Sequence, residues 1–370
     1  MSTGDPRVVP ELFDGDRLRQ ARVYMGLKKV DVARAIDVTP AVIGQYESGK
    51  TRPRSGAFAS IALHLGFPPE FFERRRPVTQ VTEGQAHFRK LRSTSKLERD
   101  QALVRLEFLA EVLADIEKHV QFPDVDLPSY PVPDDAPDTE PEAAAAAVRS
   151  AWGLGLGPID NVVRLLEGRG TVVLRPAVSA SGVDAFSTWM EDRPVVVLGS
   201  DKADAARSRF DASHELGHLV MHHDAEPGRH VIEKQAHRFA AAFLMPADNI
   251  AKEFPSRMSW PAFFNLKERW RVSLQALLYR AKTLGALSPD AYQRAQIHVS
   301  RQGWRDNEPI DIGFPEEPAL LGKAFDLMRA ELSIDESKIA AECRLPDPVF
   351  RALLEGAVPP IQPRPRVAVE

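Results

Sequence analysis

The stretch F-D-A-S-H-E-L-G-H, Phe210 to His218, constrains this chain more than any other. His214, Glu215 and His218 in it form the pattern H-E-x-x-H. On a helix, positions i and i+4 stand one turn apart on the same face. Two imidazoles at that spacing can grip one tetrahedral zinc ion. Glu215 projects beside them, within reach of the water such an ion carries, as a general base. The plainer reading is a surface helix that holds these residues by chance, and the surrounding sequence has to decide. A catalytic zinc takes three protein ligands and keeps one position for water, so a third ligand must come from elsewhere.

The helix should start near Asp204 and run to about His222, with Arg207 and Arg209 upstream and Ala212, Leu216, Leu219 and Val220 burying it. Third-ligand candidates are His222, His223, Asp224, Glu226, His230, Glu233 and His237. His222 lies too far along the same helix to converge with the other two. The metzincin spacing falls on Asp224 and lacks that pattern's glycine. A second helix crossing the first is the better source. Residues 232–246 read as one, with Ala236, Phe239, Ala240 and Phe243 as its buried stripe and Glu233 at its start. The helix dipole alone would favour a carboxylate there, but as third ligand Glu233 completes a His-His-Glu set.

Taken together, D-A-S-H-E-L-G-H-L-V-M-H followed by E-K-Q-A-H-R-F-A-A-A-F-L-M-P resembles the ImmA/IrrE family of zinc metallopeptidases. The resemblance spans about residues 145–305. It implies a zinc held by His214, His218 and Glu233, with Glu215 as the base. Many members have Asn or Asp where this chain has His237. One turn after Glu233, that imidazole would orient the carboxylate or stabilise an oxyanion.

Net charge is -4, so a nucleic-acid partner would have to be met by a local patch. Residues 17–54 supply one: nine Lys/Arg stand against Asp31, Asp37 and Glu47. Helices are expected from Asp16 to Gly26, over Lys29–Ile36, over Pro40–Glu47 with Thr39-Pro40 as cap and first-turn proline, and over Ala57–Leu65. Two short helices joined by a tight turn make a helix-turn-helix. The segment V-T-P-A-V-I-G-Q-Y-E-S-G-K-T-R-P resembles the Cro/CI-type (XRE) family of phage repressors. That resemblance implies that Thr39, Pro40, Ala41, Gly44 and Gln45 face double-stranded operator DNA, where Gln45 can bond adenine bidentately. It places Lys29, Lys50, Arg52 and Arg54 on phosphates. The family often has glutamine where this chain has Lys29.

The rest of the chain sets the organisation. A long helix should reach about His119, with Leu103, Leu106, Leu109 and Leu113 as one stripe, for core packing or for a homodimer. Phe122–Pro141 is rich in proline and acids and reads as a linker. The segments 170–175, 185–190 and 194–198 read as strands, the last two as a hairpin. Residues 266–285 form a helical hairpin whose expected role is packing, and 318–354 form two or three helices. The single cysteine, Cys343, rules out an internal disulfide framework and a cysteine-rich zinc site. No apolar run reaches the ~18 residues of a membrane span, and the N-terminus lacks the apolar core of a signal peptide, so a cytoplasmic protein is expected.

The expected fold is mainly α with a small β-sheet (α+β). The expected units are a helix-turn-helix domain at 12–76, a connecting helix at 85–121, and a Pro/acid-rich linker at 122–141. A zincin-like α+β peptidase core follows at 142–250, then a helical hairpin subdomain at 251–305 and a C-terminal helical region at 315–357. By resemblance, relatives of the peptidase cleave Cro/CI-type repressors in stress or mobile-element responses. The expected function is therefore a DNA-binding regulator that cuts such a repressor, or itself. The alternative is a non-enzymatic regulator whose peptidase-like part is a sensor or structural module.

Overall fold

The computed structural model describes residues 13–73, 96–175, 185–199, 204–223, 229–305 and 307–356. Residues 85–95 of the expected connecting helix lie outside the described residues. The structure is mainly helical with one small sheet, as expected. Among the described residues no helix is long and apolar enough to cross a membrane.

Four helices open the chain: α1 (Gly15–Tyr24), α2 (Lys29–Ala35), α3 (Pro40–Glu47) and α4 (Ser55–Leu65). The Asp14 side chain accepts from the Asp16 N–H and caps α1. Asp37 adopts a left-handed φ of 56° and turns α2 into α3. Leu18, Val32, Ile43, Phe58 and Ile61 are fully buried between these helices. Gly15 is required at the crossing of α1 and α3, because a Cβ there would lie 2.2 Å from the Tyr46 carbonyl oxygen.

The next helix, α5 (Lys96–Ile116), lies against α1. Phe108 meets Tyr24, Phe67 and Phe71 at ring distances of 5.5, 6.1 and 5.7 Å. Arg17 donates to Glu111 at 2.7 Å, and Gln20 donates to Glu107 at 2.8 Å. Leu106, Leu109 and Leu113 of the expected stripe are buried by this chain's own helices.

Then follow α6 (Glu140–Ala151), α7 (Val162–Gly168), β1 (Val172–Leu174), β2 (Ala185–Met190) and β3 (Arg193–Leu198). The sheet order is β1-β3-β2, with β1 parallel and β2 antiparallel to β3. Helices α8 (Ala205–Met221), α9 (His230–Leu244), α10 (Ala247–Glu253), α11 (Trp260–Trp270), α12 (Leu274–Thr283) and α13 (Pro289–Arg301) come next. The chain closes with α14 (Leu320–Leu332), α15 (Glu336–Cys343) and α16 (Asp347–Leu354).

Side chains alternate across a strand, and here both faces are buried. Val173, Val196 and Leu198 join one core with Leu216 of α8 and Phe239 and Phe243 of α9. Val172, Leu174, Phe186 and Val195 join a second core with α5, the closing helices and the helix-turn-helix.

One expectation needs correction. The segment 122–141 is not a loose tether. Tyr130 and Val132 N–H groups donate to the carbonyls of Val220 and Met221 at 2.9 and 3.4 Å, at the C-terminal end of α8. Its acids pair with α9 and the residue before it: Asp134 with Arg229, and Asp138 with Lys234 and Arg238. Proline-rich chain is already extended and has few N–H groups to satisfy, so this strap docks with acids and backbone. The C-terminal region also packs on the rest of the chain. Glu316 pairs with buried Arg209 of α8 and accepts from the Val162 and Val163 N–H groups of α7 at 2.7 and 3.0 Å. Arg344 reaches the Glu70 carbonyl and the Glu73 carboxylate at 2.5 Å. The closing helices thus tie the peptidase-like part to the N-terminal helices.

Candidate active site and nucleic-acid face

Helix α8 starts where the Asp204 side chain accepts from the Arg207 N–H. Its buried apolar residues, Ala212, Leu216, Leu219 and Val220, hold it between the sheet and α9. This fixes His214 and His218 toward α9, where Glu233 sits in the first turn. His214 Nε2 and His218 Nε2 are 3.0 Å apart. Glu233 Oε2 is 3.4 Å from the first and Glu233 Oε1 is 3.7 Å from the second.

These three residues form a group whose donor atoms lie within 4.8 Å of one another. Donors bonded at ~2.0–2.1 Å to one tetrahedral ion stand roughly 3.3–3.4 Å apart, so the triangle has the right size. Two imidazoles and one carboxylate are also a catalytic zinc donor set. The residues therefore fit the ion.

Glu215, next along the helix, lines the same cavity as these three residues and reaches β2. Its Oε2 accepts from Ser187 Oγ of β2 at 2.7 Å. Burial pushes its carboxyl pKa up to about 7, against the pull of the His214 ring and the Ser187 hydroxyl. That value suits a group that must both take and return a proton near neutrality.

Of the other candidate ligands, His222 is buried, with Nδ1 3.1 Å from His218 Nδ1 and Nε2 2.9 Å from Gln235 Oε1. Burial lowers its pKa and favours the neutral ring. His223 packs on Trp189 at 5.5 Å, away from the triangle. His237 binds the Glu233 carbonyl oxygen through Nδ1 at 3.0 Å, and its ring lies 4.6 Å from that of His214. It therefore contacts the backbone of Glu233. Asp224 and Glu226 lie outside the described residues.

A cavity of about 760 Å³ opens over His214, Glu215, His218 and Glu233. His230 and His237 line it from α9. Its far wall is made by Ser273, Gln275, Ala276 and Tyr279 near or on α12, and by Tyr292 and Gln296 of α13. The helical hairpin, whose expected role is packing, thus also lines the cavity. Ser187 was missed in the sequence as well. Its signal there is one small polar residue inside the apolar strand A-F-S-T-W-M.

On the N-terminal helices, Thr39, Pro40, Ala41 and Gln45 are exposed on α3, and Gly44 is half-buried. Lys50, Arg52 and Arg54 follow on exposed surface. The positive footprint is narrower than the sequence count suggests. Arg17 pairs with Glu111, Arg19 with Glu107, and Arg22 with Glu47 at 2.5 Å. Lys29 also reaches Glu47, at 3.2 Å. Lys28, Arg34, Lys50, Arg52 and Arg54 are all exposed.

No curated protein matches the chain. Residues 15–74 match the family model of a helix-turn-helix domain. Residues 166–282 match that of a peptidase family, described as the IrrE N-terminal-like domain. The chain therefore carries, in the expected order, a helix-turn-helix domain and an IrrE-like peptidase-family domain.

Proposed function

We propose that this protein is a DNA-binding transcriptional regulator carrying a zinc-dependent endopeptidase, whose substrate is a repressor-type protein or the chain itself. The observation that carries the reading is the pairing of two arrangements in one cavity. The His214–His218–Glu233 triangle and the Ser187-held carboxylate of Glu215 both line it. A purely structural metal site has no need of a carboxylate kept beside the ligands and open to a cleft.

His214, His218 and Glu233 would hold the ion. When bound, it supplies Lewis-acid polarisation of a scissile carbonyl and of water. Glu215 takes a proton from the attacking water and passes it to the departing amine nitrogen. Ser187 fixes the rotamer of that carboxylate. The polar wall from Ser273 to Gln296 offers hydrogen bonds to an extended peptide. On the DNA side, the α3 face with Gln45 reads bases in the major groove, while Lys29, Lys50, Arg52 and Arg54 meet phosphates.

The test is co-expression with a Cro/CI-type repressor. The wild type should yield a shortened repressor or a shortened form of itself, and Glu215→Gln should yield neither while retaining DNA binding. If wild type gives no product, or Glu215→Gln gives the same one, the peptidase reading is wrong.

A further inference from the structure

Behind the histidine pair, away from the cavity, a line of polar contacts runs from His218 to the strap. His218 Nδ1 is 3.1 Å from His222 Nδ1, His222 Nε2 is 2.9 Å from Gln235 Oε1, and Gln235 Nε2 is 2.7 Å from the Pro133 carbonyl oxygen. His218, His222 and Gln235 are all buried.

The last contact sets the direction of the others. A backbone carbonyl can only accept, so the NH₂ of Gln235 faces Pro133 and its oxygen faces His222. That oxygen also only accepts, so His222 carries its hydrogen on Nε2 and presents a lone pair at Nδ1. His218 must then carry its hydrogen on Nδ1. Its lone pair is left on Nε2, the atom that faces His214 and Glu233.

We propose that His222 and Gln235 are positioning residues that fix the tautomer and ring orientation of His218 for metal binding, with the strap at Pro133 as their anchor. An imidazole and an amide here take the place of the carboxylate that commonly supports a metal-bound histidine. The hydrogen bonds polarise one another along the line, which strengthens the donor character of His218 Nε2. This also gives the docked strap a role in the site, because its carbonyl holds Gln235 in the one orientation that passes the direction on. The proposal rests on the zinc reading of His214, His218 and Glu233.

The experiment is competition for zinc against a fluorescent chelator, using the full chain. Wild type and His214→Ala are measured first. If wild type takes no zinc, or His214→Ala takes it equally well, the metal site falls and the relay falls with it. Otherwise the variants Gln235→Leu and Gln235→Glu separate the roles. Gln235→Leu removes the acceptor from His222, and zinc affinity should fall about 10- to 100-fold. Gln235→Glu keeps an acceptor for His222 but loses the donor to Pro133, and affinity should hold or rise.

A residue that merely anchors the strap would give the opposite pattern, with Gln235→Glu at least as damaging as Gln235→Leu. A general charge effect is separated by the double variant His222→Phe/Gln235→Glu. In the relay the benefit of the carboxylate over leucine vanishes once His222 is phenylalanine, so a benefit that survives overturns the proposal. So does a Gln235→Leu chain that binds zinc as tightly as wild type.

Discussion

Gly217, the residue between the two metal-ligand candidates' turns, sets how closely α8 and α9 approach. A Cβ built there would lie 3.0 Å from Cδ1 of Phe239 and 3.2 Å from its Cβ and Cγ. Ordinary carbon contacts sit near ~3.5–4.0 Å, so the shortfall is about 0.3–0.5 Å. Phe239 cannot swing aside, because it is fully buried and stacked on Phe243 at 5.7 Å. Its Cβ moves with the backbone, so Gly217→Ala should push α9 outward. The stability effect is small, because alanine gains ~0.8–1.0 kcal/mol of helix propensity against an overpacking cost of ~1–3 kcal/mol. Net destabilisation should lie between about zero and 2 kcal/mol. The site should suffer more, because Glu233 rides on α9 and metal-ligand distances tolerate only ~0.2 Å. We expect zinc affinity to fall at least about tenfold, measured by chelator competition, with chemical denaturation of the apo chain alongside. Unchanged zinc affinity would refute the argument that this contact sets the ligand triangle.

Other predictions follow from the contacts around the site. Glu316→Ala leaves Arg209 buried without its carboxylate and exposes the N–H groups of α7. It should cost about 3–5 kcal/mol in denaturant unfolding. Glu107 is buried and its pKa is raised, chiefly by that burial. A raised folded-state pKa means that Glu107 favours the fold at low pH and that this contribution is lost as pH rises through the folded value. Glu107→Gln should therefore gain stability relative to wild type as pH rises from the acid range to neutrality, and a denaturation midpoint that instead falls relative to that of wild type over this range would contradict this. Gln45→Ala should lose about 1–3 kcal/mol of discrimination at one operator position. Lys50→Ala or Arg54→Ala should weaken all sequences alike and reduce the salt slope by about 1.

Much of the fold is written locally in the sequence. Proline at the first turn of α3 and glycine after α4 mark helix ends wherever they occur. The spacing of His214, Glu215 and His218 and the stripe of α9 require only helical periodicity. What was not legible depends on partners far along the chain. The acids of 122–141 look like linker acids until Arg229, Lys234 and Arg238 stand opposite them. Arg17 and Arg22 count toward the basic patch of residues 17–54, yet Glu111 and Glu47 hold them. His222 was set aside because it cannot reach the triangle. Its place behind His218 appears only when Gln235 and Pro133 are brought to it by the packing of α9 and the strap. Glu316 carries no local signal at all, and its meaning lies in Arg209 and the start of α7.

The most direct test of the central claim is metal stoichiometry of the purified full chain by elemental analysis. Wild type and Glu215→Gln should each hold one zinc, because Glu215 works on the proton and not as a ligand. His214→Ala, His218→Ala and Glu233→Ala should hold almost none while keeping the helix-turn-helix folded and able to bind DNA. A full zinc equivalent in Glu233→Ala, or its loss in Glu215→Gln, would contradict the assignment of ligands and base.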